Sequence, residues 1–114
     1  MLSPQEVAKL AVRALDEKSG REVKTLKIEN LSVLANYFVI CTATSSTHIK
    51  TLADELEKTM EEANEIPRRK EGYRAGGWVL VDYGCVVVHI FLQEVREFYN
   101  LERLWADAEE VKYG

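Results

Sequence analysis

The sequence predicts an α/β domain in which helices flank a mixed sheet of four to five strands. Three observations predict it. Apolar residues recur at helical spacing in the segments that follow Ser3 and Thr47. The continuous apolar run at 37–41 is typical of a strand covered on both faces, and a second apolar run, at 86–92, is interrupted only by His89. Helical and strand segments alternate along 114 residues, a length that fits one domain spanning residues 1–114.

The first half of the chain predicts one helix and two strands. Ser3-Pro4 followed by Glu6 is a strong helix start, because it supplies a cap, a proline in the first turn and a capping box. Gly20 ends this helix. Alternation from Val23 to Ile28 predicts a strand, and the apolar run from Tyr37 to Cys41 predicts a second.

The middle of the chain predicts a second helix and a loop. An apolar stripe from about Thr47 to Glu65 indicates the helix, and Pro67 stops it. Arg68 to Gly72 is interpreted as a loop, and a short strand through Tyr73-Arg74 is possible by pattern.

The last third predicts a hairpin and a final helix. Strands Trp78–Asp82 and Cys85–Leu92 are joined through the turn Tyr83-Gly84. Glu94 to about Trp105 has a helical pattern that is bent or split near Asn100. Residues 107–114 are polar and are expected to form a frayed tail.

Charge and composition disfavour some classes of function. The formal net charge is −4 and the pI is about 5.2, which disfavours a domain that binds by neutralising phosphates. Residues 94–114 carry three basic and six acidic side chains, so they hold most of the negative charge and favour a basic partner. No apolar run is long enough to cross a bilayer, and the amino terminus shows no cleavable leader, so we expect a cytoplasmic protein.

The residues that could carry chemistry do not form a recognisable catalytic set. Cys41 and Cys85, with His48 and His89, lack the spacing of a zinc site, so no metal or cofactor is expected and both thiols are expected to be free. His48 opens a helix and is expected to be solvated, whereas His89 lies in a strand and is interpreted as a core residue.

Three further candidates each have a plain structural interpretation. The hydroxyl-rich loop 42–47 could bind an anion, but it lacks glycines and is interpreted as a helix cap. Asp82 ends a strand without a second converging carboxylate, which favours a turn or docking role over catalysis. The basic run Arg68, Arg69 and Lys70 is interpreted as a solvated loop, with contact to nucleic acid at most peripheral.

Aromatic residues indicate a docking surface. One strand face carries Trp78, Leu80 and Asp82, and because it ends in Asp82 it is expected to be half exposed. On the final helix, Val95 and Phe98 are expected to face the core, while Glu94 and Glu97 form a charged rim. Tyr83 is also an interface candidate. For Tyr99 and Trp105, core and interface remain alternatives.

At these residues the chain closely resembles the ribosomal silencing factor family, RsfS/Iojap. The resemblance rests on four blocks, Asn36-Tyr37-Phe38-Val39-Ile40-Cys41 with Thr44-Ser45-Ser46, Gly77 to Tyr83, Val86 to Phe91, and Glu94 to Trp105. Two positions depart from the family pattern: Cys85 stands where an acid is usual, and Asn36 where Asp is usual. The first departure weakens any role for an acid at position 85 in docking.

The resemblance implies a fold, a partner and a mechanism. The fold would be nucleotidyltransferase-like without the catalytic carboxylates. The partner would be the fourteenth protein of the large ribosomal subunit, at the face where the small subunit joins. Occupying that face would block joining and lower translation when nutrients are scarce, and the protein would be a homodimer off the ribosome. The contact residues that match these blocks are Trp78, Asp82, Tyr83, Glu94, Glu97 and Tyr99.

The sequence therefore predicts a non-enzymatic ribosome-binding repressor of translation. Two alternatives stay open. One is a small nucleotidyltransferase-like enzyme that uses the loop Thr44–Thr47 and Asp82. The other is a generic dimeric adaptor unrelated to ribosomes.

Overall fold

The structure, a computed structural model, describes residues 2–72 and 77–113. The elements in chain order are α1 (Pro4–Glu17), β1 (Arg21–Lys27), β2 (Tyr37–Ala43), α2 (Ser46–Glu62), β3 (Arg69–Glu71), β4 (Trp78–Asp82), β5 (Val86–Leu92), α3 (Gln93–Tyr99), α4 (Leu101–Leu104) and β6 (Glu109–Val111). The strands form one mixed sheet in the order β3-β4-β5-β2-β1-β6. The α/β class is confirmed, and the described sheet has six strands where four to five were expected.

The two central strands are β2 and β5, which pair in parallel with Phe38 opposite Val87. All seven residues of β2 are buried, as its continuous apolar run predicts. The neighbouring pairs, β1 with β2 and β4 with β5, are antiparallel. The parallel pair is possible because α2 and the β3–β4 hairpin connect the end of β2 to the start of β5.

Helices α1 and α2 cover one face of the sheet, which we call the first face. The capping box predicted at Ser3 and Glu6 is present, and Ser45 caps α2 by accepting a hydrogen bond from the amide of His48. Both helices bury an apolar stripe against the sheet. The buried residues of these stripes are Val7, Ala8, Ala11, Val12, Ala14, Leu15, Ile49, Leu52, Ala53, Leu56 and Met60.

The opposite or second face is covered by α3, α4 and the loop 28–36. Its core is smaller and consists of Leu26, Ile28, Ala35, Phe38, Ile40, Val87 and Phe91. Trp78, Leu80 and Val95 pack at the edge of this core and stay partly exposed. The second face is therefore the side on which the sheet's own aromatic residues approach the solvent.

The two edge strands are corrections to the sequence analysis. Arg69–Glu71, predicted to be a loop, forms β3 and pairs with β4. Residues 109–111, within the predicted frayed tail, form β6 and pair with β1. Both strands are three residues long and charged, so the ladder to a neighbouring strand stabilises them rather than local propensity. The possible strand at Tyr73-Arg74 lies outside the described residues.

Helix ends depend on residues with positive φ. α2 ends at Glu62, three residues earlier than predicted, and Asn64 at φ 64° turns the chain before Pro67. The last helical segment is split at Asn100, whose φ of 47° and ψ of 57° are left-handed. The split predicted near Asn100 is confirmed. No helix among the described residues is long and apolar enough to span a bilayer.

Candidate docking surface beside helix α3

A row of four aromatic rings leads from the core to the solvent on the second face. Phe91 is 1% exposed, and its ring centroid lies 4.9 Å from that of Trp78. Trp78 lies 4.8 Å from Tyr99, which lies 5.1 Å from Phe98. Tyr99 is 48% exposed and Phe98 is 81% exposed. Each of the three outer rings is thus in contact with a more deeply buried one.

The three outer rings of this row and two neighbouring apolar side chains form what we call the α3 surface: Trp78, Tyr99 and Phe98, with Leu80 and Val95. Four of them line a shallow groove of about 490 Å³, to which Glu71, Gly72 and Gly77 also contribute. The strand supplies Trp78 and Leu80 at alternating positions because successive side chains point to opposite faces. The sequence therefore correctly predicts a half-exposed face at Trp78.

Phe98 is a part of this surface that the sequence analysis missed, whereas Leu80 lies on the strand face that was expected to be half exposed. Phe98 was expected to face the core with Val95, and this prediction is wrong because Arg96, not Phe98, occupies the buried position of α3. The apolar residues Leu31, Val33 and Leu34 were also missed, and they are exposed in the loop 28–36. Their only signal is an apolar cluster that has neither helical nor strand period.

Carboxylates surround the α3 surface. Glu94 and Glu97 are exposed on α3, as predicted, and Glu97 accepts a hydrogen bond of 3.1 Å from Nε2 of the Gln93 side chain. Glu71 projects from the neighbouring edge strand and lies opposite Leu80 in the β3–β4 ladder. Aromatic anchors inside a charged rim are the usual composition of a protein-binding surface.

Asp82 and Tyr83 lie at the far end of β4 and have structural roles. One carboxylate oxygen of Asp82 accepts a hydrogen bond of 2.7 Å from the amide of Gly84, which is the predicted turn role. Tyr83 is only 7% exposed and packs in the core of the first face. Its burial does not favour a partner contact, so that role stays a prediction, and burial also raises the pKa of its phenol well above the ordinary value.

The basic run is largely neutralised by nearby acids. Arg69 lies 3.3 Å from Glu71 and 3.9 Å from Asp82, and Lys70 forms an ion pair of 2.7 Å with Glu57. Such pairing weakens the attraction that these cations could exert on phosphate groups.

The loop before α2 uses its polar groups internally. The amide of Thr44 donates to Nδ1 of His48, and Nε2 of His48 lies 2.8 Å from the carbonyl oxygen of Lys18. His48 is thus bonded on both sides rather than simply solvated, and the loop is a helix cap as interpreted. Within residues 2–72 and 77–113, no three His, Cys, Asp or Glu side chains are grouped so as to hold a metal ion.

Fold and surface together define a class: small α/β domains with a mixed sheet, helices on both faces and an exposed aromatic surface beside the last helix. The sequence model of the family described as "Ribosomal silencing factor during starvation", RsfS, matches residues 2–113. The chain belongs to this family. The resemblance on which the sequence analysis relied is thereby confirmed.

Several relatives are similar over most of this chain. Ribosomal silencing factor RsfS of Halalkalibacterium halodurans is 41% identical over 111 residues, which cover 97% of this chain and 95% of that protein. RsfS of Bacillus subtilis is 36% identical over 94% of this chain and 91% of its own length. A mouse protein named "Mitochondrial assembly of ribosomal large subunit protein 1" is 32% identical over 84% of this chain and 43% of its own length.

Solved structures agree with this fold. A crystal structure of a protein from Chromobacterium violaceum superposes with a TM-score of 0.90 at 34% identity, covering 99% of this chain and 93% of the other. A crystal structure from Bacillus halodurans gives a TM-score of 0.84 at 39% identity, covering 95% and 98%.

Proposed function

We propose that this protein is a non-enzymatic factor that binds the large ribosomal subunit through the α3 surface and sterically blocks joining of the small subunit. The observation that carries the proposal is the exposure of Phe98 and Tyr99 at the outer end of a supported row of rings. A large exposed aromatic pair is costly in water unless a partner covers it. The relatives' names point to the ribosome as that partner.

The partner on the subunit is, in this proposal, its fourteenth protein, as the resemblance implies. The charge supports a basic protein rather than bare rRNA, because Glu94 and Glu97 flank the aromatic pair. Repression would follow from occupancy alone, without any chemical step. Binding should weaken as salt rises, since exposed carboxylates are screened within about 8 Å at physiological ionic strength.

The first experiment asks which particle carries the protein. Purified protein is mixed with large subunits, small subunits or both, and sedimented through sucrose gradients. We expect co-sedimentation with the large subunit only, and slower subunit joining by light scattering. Unchanged joining kinetics at saturating protein would refute the blocking mechanism, and absence from the large-subunit peak would refute the partner.

A charge reversal locates the binding surface. Glu97→Lys places a cation beside Phe98 and should weaken binding to the large subunit about tenfold, because like charges then face each other. Glu62→Lys is the matched control, since Glu62 is equally charged and exposed but lies at the end of α2. Equal affinities of the two variants would show that the α3 surface is misplaced.

We also propose that the free protein forms a homodimer that covers apolar surface in the absence of the ribosome. The exposed residues Phe98 and Leu104 support this idea, since both are more than 70% exposed in the monomer. Sedimentation velocity over a range of concentrations tests it. A monomer at every concentration would exclude the dimer.

The enzymatic alternative gains no support from the geometry. The groups it requires, the loop Thr44–Thr47 and Asp82, are used in a helix cap and in a turn. Thermal unfolding with and without a nucleoside triphosphate and Mg²⁺ tests it directly. A metal-dependent rise in melting temperature would favour the enzyme over the binding factor.

A further inference from the structure

Helix α3 is attached to the sheet by an arginine. Arg96 is the one buried residue of α3 and is 5% exposed, and Val95 beside it is only half buried. Among the described residues, Arg96 is the only Arg, Lys, Asp or Glu that is buried. A helix of seven residues is too short to be stable alone. Its position therefore depends on what Arg96 contacts.

The guanidinium of Arg96 bonds to three other elements. Its Nη1 donates to Oγ1 of Thr42 in β2 at 2.6 Å and to the carbonyl oxygen of Glu22 in β1 at 2.9 Å. Its Nε donates to Oε1 of Glu102 in α4 at 2.8 Å. The second oxygen of Glu102 accepts from Nζ of Lys24 in β1 at 2.9 Å. We call this set of bonds the Arg96 clamp.

The clamp spans the corner of the chain between α3 and α4. Arg96 and Glu102 lie on opposite sides of Asn100, whose left-handed backbone makes the corner. The ion pair between them therefore links α3 to α4 across this corner. Glu102 is held on both sides, and its two cationic partners keep the pKa of its carboxyl below the ordinary value, Arg96 having the larger effect.

The exposed aromatic residues of α3 lie close to Arg96 in the sequence. Phe98 and Tyr99 come two and three positions after Arg96 in the same seven-residue helix. Arg96 itself is buried, so it is not a candidate for contact with a partner. A buried ion pair adds little net stability compared with apolar packing, but it can select one arrangement among several.

We propose that Arg96 is a positioning residue for docking: through the clamp it fixes the orientation in which Phe98 and Tyr99 meet the partner. The partner-contact role of those two rings rests on the proposed function. The local part of the inference, that Arg96 orders α3, does not depend on it. The clamp uses the fork of the guanidinium, so a lysine should not replace it.

The local part is tested by hydrogen exchange on the free protein. In Arg96→Met, amides of residues 95–100 should exchange at least about tenfold faster, while amides of α1 and β5 keep their wild-type rates. Arg103→Met is the matched control, because Arg103 is an exposed arginine in the neighbouring helix α4. Its α3 amides should exchange as in the wild type. Unchanged exchange of α3 in Arg96→Met would overturn the inference.

Binding to purified large subunits tests the link to docking. Arg96→Met and Arg96→Lys should each weaken binding about tenfold, and Arg103→Met should not. In a background that carries Phe98→Ala and Tyr99→Ala, adding Arg96→Met should cause less than about a twofold further loss, since the residues it positions are gone. A further tenfold loss in that background would overturn the positioning role.

Hydrogen exchange and subunit binding together distinguish failure of the proposed function from failure of the positioning role. If the wild-type protein does not bind large subunits, the proposed function fails, and hydrogen exchange alone decides whether Arg96 orders α3. If the wild type binds and Arg96→Met binds equally well, the positioning role fails while the proposed function stands. Should Arg96→Met not fold, Glu102→Gln removes the charge of the partner at nearly constant shape, and the same two measurements apply to it.

Discussion

Nε1 of Trp78 donates a hydrogen bond of 3.2 Å to Nδ1 of His89 on the neighbouring strand. A half-exposed indole thus occupies the ring nitrogen that would otherwise take up a proton. Nε2 then carries the hydrogen, and it is buried without a partner among the described residues. Burial lowers the pKa of His89 to about 4, and the negative charge of Asp82 opposes this shift only in part.

The first prediction concerns acid stability. The pKa of His89 is depressed in the folded state relative to 6.5, so the unfolded chain binds the additional proton as pH falls. Stability should be full above pH 6.5 and should fall by about 2 kcal/mol between pH 6.5 and 5. Urea unfolding at a series of pH values measures this fall. His89→Gln should show a flatter profile over the same interval, and equal slopes would rule out His89 as its source.

The second prediction separates binding from folding at Phe98. Phe98→Ala should weaken binding to the large subunit about tenfold, because a truncated aromatic anchor commonly costs more than 1 kcal/mol. It should change the free energy of unfolding by less than about 0.5 kcal/mol, because Phe98 is 81% exposed. Ile66→Ala, at a residue that is 67% exposed outside the α3 surface, is the control. Loss of binding in both variants would argue against a defined site.

The third prediction concerns the corner at Asn100. Its φ of 47° is tolerated by Asn and Gly but strained for a β-branched residue. Asn100→Val should therefore be less stable than Asn100→Gly by about 1–2 kcal/mol in urea unfolding. If valine were accepted as well as glycine, the corner would not need a left-handed residue.

The fourth prediction concerns the two thiols, both of which are free. Burial raises the pKa of Cys41 to about 12, and burial also raises the pKa of the half-buried Cys85 thiol. Because the thiolate is the reactive form, a disulfide reagent at pH 8 should modify Cys85 slowly and Cys41 only after unfolding. Cys85→Ser should leave no thiol reactive in the native protein. Fast labelling of Cys41 would show that the first-face core opens readily.

The sequence alone predicted the secondary structure correctly where the apolar pattern of a segment matches its burial in the fold. The apolar run Tyr37–Cys41 and the run 86–92, which only His89 interrupts, form the centre of the sheet. Ser3 and Glu6 cap α1 through contacts only three residues apart, so local spacing was enough to find them.

The sequence predictions were wrong where contacts between residues far apart in the sequence determine which side chains are buried. Phe98 fits an apolar helical stripe, yet Arg96 occupies the buried position because Thr42 and Glu22 supply acceptors from distant strands. Tyr83 reads as a turn residue at the surface, but α2 and the first-face core enclose its ring. No local pattern reports such contacts, so the orientation of α3 could not be derived from spacing.

The strand β6 also has a consequence for folding of the chain during its synthesis. It pairs with the outer edge of β1, where Thr25, Leu26 and Lys27 lie opposite Val111, Glu110 and Glu109. Until synthesis has passed Val111, a growing chain would hold β1 with open amide and carbonyl groups, which invite pairing with other nascent chains. Completion of the native sheet is therefore postponed until nearly all of the described chain has emerged, and shortened versions that stop before Glu109 should self-associate.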